Sequence, residues 1–244
     1  MASVGILEFV LTTLVMSGGA FVQRITGFGM GIFAMLFLPH FFPSHGMAAA
    51  VIGLVNCVGS VYNAVRHRKN IQLRLMLPMV LTALAVIPLA VYLSASLPQT
   101  VLKRLLGVVL VALSIWFLFF SKRIHLKPTI PNGMAAGAVS GMLNGMFTTG
   151  GPPAVLYLIH ATSDKTVYFA TIQAFFASTN AFSTVNRALN GLVTRQVLLL
   201  ALVSLTGWAL GNALGSRVFE KLDADRLRRI VYYGMAVSGV LMVL

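Results

Sequence analysis

The sequence predicts an all-α polytopic membrane protein built from two homologous, inverted halves. Three observations carry this. The 244 residues are 58% hydrophobic and only 9% charged, too few charges to cover a water-facing surface. Apolar runs close to bilayer-spanning length recur along the whole chain. Two runs are interrupted by glycine-rich segments, Gln23-Arg24-Ile25-Thr26-Gly27-Phe28-Gly29 and Asn144-Gly145-Met146-Phe147-Thr148-Thr149-Gly150-Gly151-Pro152-Pro153, with Gly29 and Gly151 lying 122 positions apart.

Taken in order, the runs fall at about 4–22, 27–42, 45–65, 75–96, 101–120, 132–147, 150–162, 167–186, 196–216 and 226–244. The first lacks a basic n-region and a small-residue cleavage site, so it is expected to stay in the membrane rather than be removed as a signal peptide. The reading divides the chain into a first membrane repeat at 1–122, a linker at 123–131 and a second repeat at 132–244. Sliding the chain on itself by 122 superposes Gly19 on Gly141, Thr26 on Thr148, Gly29 on Gly151, Ser94 on Ser216 and Arg104-Leu105 on Arg226-Leu227. Identity is near what two apolar sequences give by chance. The duplication therefore rests on boundaries: both breaks, and the loops near 66–74 and 94–104 against 188–196 and 216–226, fall in register.

Charge sets the topology, because short cytoplasmic loops carry the excess of Lys and Arg. If each half opens with a pair of segments that enters and leaves on one side, thirteen Lys/Arg fall inside and four outside (Lys103, Arg104, Arg187, Arg195), with Arg24 in the first break. If each pair were one broken crossing, the split would be nine to eight. The first arrangement is preferred. It leaves three further crossings per half and so inverts the second half. The second pair, near 16 and 13 residues, gives helices of roughly 24 and 20 Å, short of the roughly 30 Å hydrocarbon core. About eight transmembrane helices result, six to ten depending on how such segments are counted.

Unwound backbone in hydrocarbon is tolerated mainly where protein buries it or where it lines a cavity, and paired interruptions in two halves point to a transport site. Arg24 stands at a break rather than at a loop or span end, where a charge costs about 2.5–3.5 kcal/mol or more. The chain has only five acidic residues, Glu8, Asp164, Glu220, Asp223 and Asp225, none of them adjacent to it. A bound anion would supply the missing charge, and a planar guanidinium suits an oxyanion. Gln23, Thr26, Asn144, Thr148 and Thr149 offer neutral hydrogen-bond groups. Gly27, Gly29, Gly150 and Gly151 permit close approach of backbone N–H groups, and a half-helix starting after each break would aim its positive dipole end at the same place.

The remaining features read as structure. Gly137, Gly141 and Gly145, and Gly207, Gly211 and Gly215, have small-xxx-small packing spacing. Cys57 is a lone core side chain, and the five histidines show no metal-ligand spacing. Scarce intramembrane carboxylates disfavour a cation carrier, and the net charge of +13 concentrates anions. Basic residues scattered among short loops give no nucleic-acid surface.

At TGFGMGIFAMLFLP in the first half and GMLNGMFTTGGPPAVLYL in the second, the chain resembles the TauE/SafE sulfite and organosulfonate exporter family over nearly its whole length. The resemblance implies a multi-pass cytoplasmic-membrane permease for sulfite, sulfoacetate or related organosulfonates, with no cofactor. By this reading the two breaks bind the anion and the halves rock to alternate access; Arg24 neutralises the ligand. A passive anion channel and a non-transporting scaffold subunit are the rival readings. The partners are the small anion and the bilayer, and assembly with further copies stays open.

Overall fold

The computed structural model describes residues 6–120, 127–218 and 224–243. Among them, ten α-helices follow in two series of five. The first series is α1 (Ile6–Thr26), α2 (Met30–Phe41), α3 (His45–Arg66), α4 (Leu73–Ser96) and α5 (Gln99–Ile115), which ends in a π-helical turn at Trp116–Phe120. The second is α6 (Ile130–Phe147), α7 (Gly151–Ala161), α8 (Lys165–Leu189), α9 (Arg195–Val218) and α10 (Ala224–Val243). Of the expected linker at 123–131, residues 123–126 lie outside the described residues, and α6 already begins at Ile130.

Local chemistry sets several of these starts. The Ser44 hydroxyl accepts from Met47 N–H and the Asp164 carboxylate from Thr166 and Val167 N–H, capping α3 and α8. Pro152 and Pro153 occupy the first turn of α7, where the missing N–H groups are unpaired anyway.

The short helices α2 and α7 have 12 and 11 residues. They reach roughly 18 and 17 Å, about half of a hydrocarbon core. Each folds back along its predecessor. A methyl built on Gly18 of α1 would lie 2.8 Å from the Phe33 ring of α2, and one built on Gly133 of α6 would lie 3.1 Å from the Tyr157 ring of α7. Among the described residues, five helical segments are long and apolar enough to cross a membrane: Leu7–Thr26, His45–Arg66, Leu73–Ser96, Gln99–Phe119 and Arg195–Val218. Leucines such as Leu81 and Leu202 (66% and 65% exposed) face outward from them, as hydrocarbon allows.

The two series interlock rather than sit side by side. α6 runs parallel to α4, with Gly137 against the Met79 carbonyl, Gly141 against the Ala83 backbone and Gly145 against Ala90. α1 runs parallel to α9, with Gly207 and Gly211 against the Thr13 and Ser17 carbonyls and Gly215 against the stem of Arg24. The small residues allow backbones to meet, as their spacing predicted. The third helices of the two series run antiparallel where they touch, and so do the fifth. Along α3 and α8, Gly53 faces Arg187, Ser60 faces Asn180 and Asn63 faces Gln173. Along α5 and α10, Gly107 faces Val243 while Val111 faces Gly239.

Two sequence readings need correction. The breaks align at an offset of 121, not 122: α1 ends at Thr26 and α6 at Phe147, α2 starts at Met30 and α7 at Gly151. Gly27 (φ 84°) thus corresponds to Thr148 (φ 55°), the left-handed residue that ends each first helix. Arg187, counted as an outside loop charge, lies inside α8 with 1% exposure. The helix runs on to Leu189, and its stop is the Asn190-Gly191 pair, with Gly191 at φ 71°.

Candidate functional site

Both breaks open onto one cavity lined mostly by buried residues. From the first half it is lined by Gln23, Gly29 and the start of α2 (Met30, Gly31, Ile32), and from the second by Asn144, Thr148, Thr149, Gly150 and Gly151. Asn56 of α3 and Phe176 and Asn180 of α8 complete the wall. The break segments also touch one another: a methyl on Gly31 would strike the Thr148 carbonyl, and one on Gly151 would lie 3.2 Å from the Phe28 ring. Since α2 begins after Gly29 and α7 after Gly150, two helix N-termini, each with unpaired N–H groups and a partial positive charge, converge here.

Thr148 marks the tightest point. It is a β-branched residue in the left-handed region, a conformation that costs about 1–2 kcal/mol and is retained only where the surroundings enforce it. Its N–H donates to the Asn144 carbonyl at 2.9 Å and its hydroxyl to the Phe147 carbonyl at 2.6 Å. The hydroxyl is thus spent on its own backbone.

Other polar atoms on the wall are unspent. Asn56 Oδ1, Asn144 Nδ2 and Thr149 Oγ1 are buried without a hydrogen-bond partner. An orphaned polar group of this kind costs about 1–3 kcal/mol. Three on one cavity wall could be satisfied by a polar occupant. The volume, about 20 Å³, is little more than one water requires.

The cationic side chains stand behind and beside this cavity rather than in it. Arg187 reaches across from α8 to the last turn of α6: Nη2 donates to the Asn144 and Gly145 carbonyls at 2.8 and 2.9 Å, and Nη1 to Ser183 Oγ at 2.7 Å. Among the described residues no carboxylate pairs with it. By capping those carbonyls it cancels the negative end of the α6 dipole at the point where α7 presents its positive end. Arg24 points away from the cavity, its Cζ 5.5 Å from the centre of the Phe169 ring and its stem against Gly215.

Seven of the ten residues singled out by sequence therefore line the cavity: Gln23, Gly29, Asn144, Thr148, Thr149, Gly150 and Gly151. Arg24, Thr26 and Gly27 do not. Thr26 Oγ1 donates to the Val22 and Phe28 carbonyls, and the Gly27 carbonyl accepts from Gln173 Nε2 at 3.0 Å.

Asn56, Asn180 and Arg187 were missed. A signal for them exists in the spacing of buried polar residues on the two facing helices. α3 carries Asn56, Ser60 and Asn63, and α8 carries Gln173, Asn180, Ser183 and Arg187, all buried. Because α3 and α8 run antiparallel, these form one polar seam with the cavity beside its middle. α8 has 25 residues yet is not among the apolar spans, and the seam is the reason.

The family described as Sulfite exporter TauE/SafE matches residues 11–242. No curated protein and no solved structure matches the chain.

Proposed function

The chain belongs to the TauE/SafE sulfite exporter family, and on that footing we propose that it is a cytoplasmic-membrane permease whose cavity between the two breaks binds a small sulfur oxyanion or organosulfonate. The observation that carries this is the convergence of two helix N-termini on a cavity with unpartnered Asn56, Asn144 and Thr149 atoms. Each N-terminus favours an anion by about 0.3–1 kcal/mol, and by up to about 2 kcal/mol when partly buried. Gln23, Thr149, Asn144 and Asn180 orient the ligand by hydrogen bonds, with Gly29, Gly150 and Gly151 offering backbone. Arg187 supplies the positive charge from behind the wall, a role that sequence had given to Arg24.

Alternating access by two inverted halves follows as the mechanism. The opposite directions of α3 and α8 and of α5 and α10 support the inversion. The interlock of α1 with α9 and α4 with α6 gives each half a rigid arm in the other. Gly31 and Thr148 meet across the two breaks, so rocking of the halves would part the cavity wall there.

The test is counterflow of labelled sulfite in proteoliposomes, with sulfoacetate, sulfate, acetate and chloride as competitors. Saturable exchange inhibited by sulfoacetate is expected. Linear, non-competable flux would indicate a channel, and no flux of any anion from folded protein would overturn the reading.

A further inference from the structure

The polar seam has an outer end that the cavity does not use. One turn beyond Asn63, α3 finishes in Arg66 and His67, and one turn before Gln173, α8 carries Phe169. The His67 ring stands edge-on to Phe169 at 5.3 Å, and the Arg24 guanidinium lies over the same ring. Two cationic or protonatable side chains, Arg24 from α1 and His67 at the end of α3, thus flank one aromatic ring, and Arg66 precedes His67 in the chain. Arg66 is held by its own helix, Nη1 donating to Tyr62 OH at 3.1 Å.

Two of these groups have unfilled hydrogen-bonding capacity: Arg24 Nε and His67 Nε2 are buried without a partner. Asp164, the described acidic residue nearest in sequence to Phe169, spends one oxygen on the Thr166 and Val167 N–H groups at the start of α8. Mutual repulsion among clustered cations is costly unless an anion intervenes. Burial first, then Arg24 and Arg66, hold the His67 imidazole below its usual range. Arg68 and Lys69 follow directly in the next turn.

We propose that Arg24, Arg66 and His67 form an outer oxyanion site, an antechamber at one end of the α3–α8 seam, occupied either by a free oxyanion or by a lipid phosphate. Arg24 Nε and His67 Nε2 donate to the oxyanion and Phe169 fixes the guanidinium plane. Inward from it, Asn63 Nδ2 meets Gln173 Oε1 at 3.5 Å and Gln173 meets the Gly27 carbonyl, a buried polar layer between the antechamber and cavity-lining Gln23. The proposal deepens the permease reading by naming where the anion first docks, but the site can be tested without transport.

The test is NMR titration of ring-labelled histidine in purified protein, in a maltoside detergent free of phosphate, with sulfate as the probe. A bound anion favours the charged imidazole, so sulfate should raise the His67 midpoint by about half a unit or more, saturably. The shift should vanish in Arg24→Gln and persist in Arg24→Lys. A second arm in phosphatidylglycerol nanodiscs separates the sources: a midpoint already raised and insensitive to sulfate identifies lipid phosphate as the occupant. No saturable shift in either arm, or an equal shift in Arg24→Gln, overturns the site. Loss of sulfite counterflow with the His67 response intact would instead count against the permease reading alone.

Discussion

Arg187 Nη2 donates to the carbonyl of Asn144 at 2.8 Å while the Asn144 side chain faces the cavity, so one residue joins the buried cation to the wall of the site. Replacing Arg187 by Met removes the charge and three donated bonds. The lost bonds, about 1.5–3 kcal/mol each, oppose the several kcal/mol released by no longer burying a lone cation, so Tm should move little. Anion affinity has no such offset. A charge one residue layer away contributes on the order of 1–2 kcal/mol, so the apparent sulfite affinity should fall about 5- to 30-fold, with Arg187→Lys intermediate. Unchanged KM in Arg187→Met would remove Arg187 from the site.

Gly31 touches the Thr148 carbonyl across the two breaks. Alanine there should cost about 1–3 kcal/mol of overpacking, read as a lower Tm. Gly234 of α10 is the control, since a methyl would meet only Leu36 at 3.5 Å. Gly234→Ala should be neutral or gain about 0.5–1 kcal/mol from helix propensity. Equal effects at both positions would mean that the break contact is not as tight as described.

Gln173, 0% exposed, satisfies the Gly27 carbonyl. Gln173→Leu leaves that carbonyl bare and should destabilise by about 1–3 kcal/mol, measured by thermal unfolding in detergent. Gln173→Glu should be worse, because its ionised carboxylate loses the donor and adds a buried charge.

The antiparallel run of α3 and α8 sets the faces on which their ends emerge. In a Cys57→Ser background, single cysteines at Lys69 and at Gly191 should react with an impermeant thiol reagent from opposite sides of the membrane. Labelling from the same side would contradict inverted halves.

Glycine clusters inside apolar sequence made both breaks legible, because few other reasons exist to unwind a chain in hydrocarbon. Their convergence was expected from segments read as near 16 and 13 residues, too short to cross; the half-helices that follow the breaks are shorter still, at 12 and 11 residues. The offset misled by one residue because Thr26 with Thr148 and Gly29 with Gly151 are identities, whereas the structural equivalence pairs Gly27 with Thr148, unlike residues sharing a left-handed backbone. Arg187 escaped because a charged residue after an apolar run reads as a loop. Only its tertiary partners, the α6 carbonyls, reveal that the helix continues. Arg24 lies in the last turn of α1, just before the break, and the direction of its side chain depends on Phe169 and Gly215, distant in sequence.

The cavity assignment is tested most directly by the concentration dependence of sulfite counterflow in the wild type and in Asn144→Leu, which fills the wall without a charge change. Saturable exchange in the wild type and its loss in a variant of similar Tm is the expected result. Undiminished saturable exchange in Asn144→Leu would contradict the assignment and send the search for the anion site elsewhere along the α3–α8 seam.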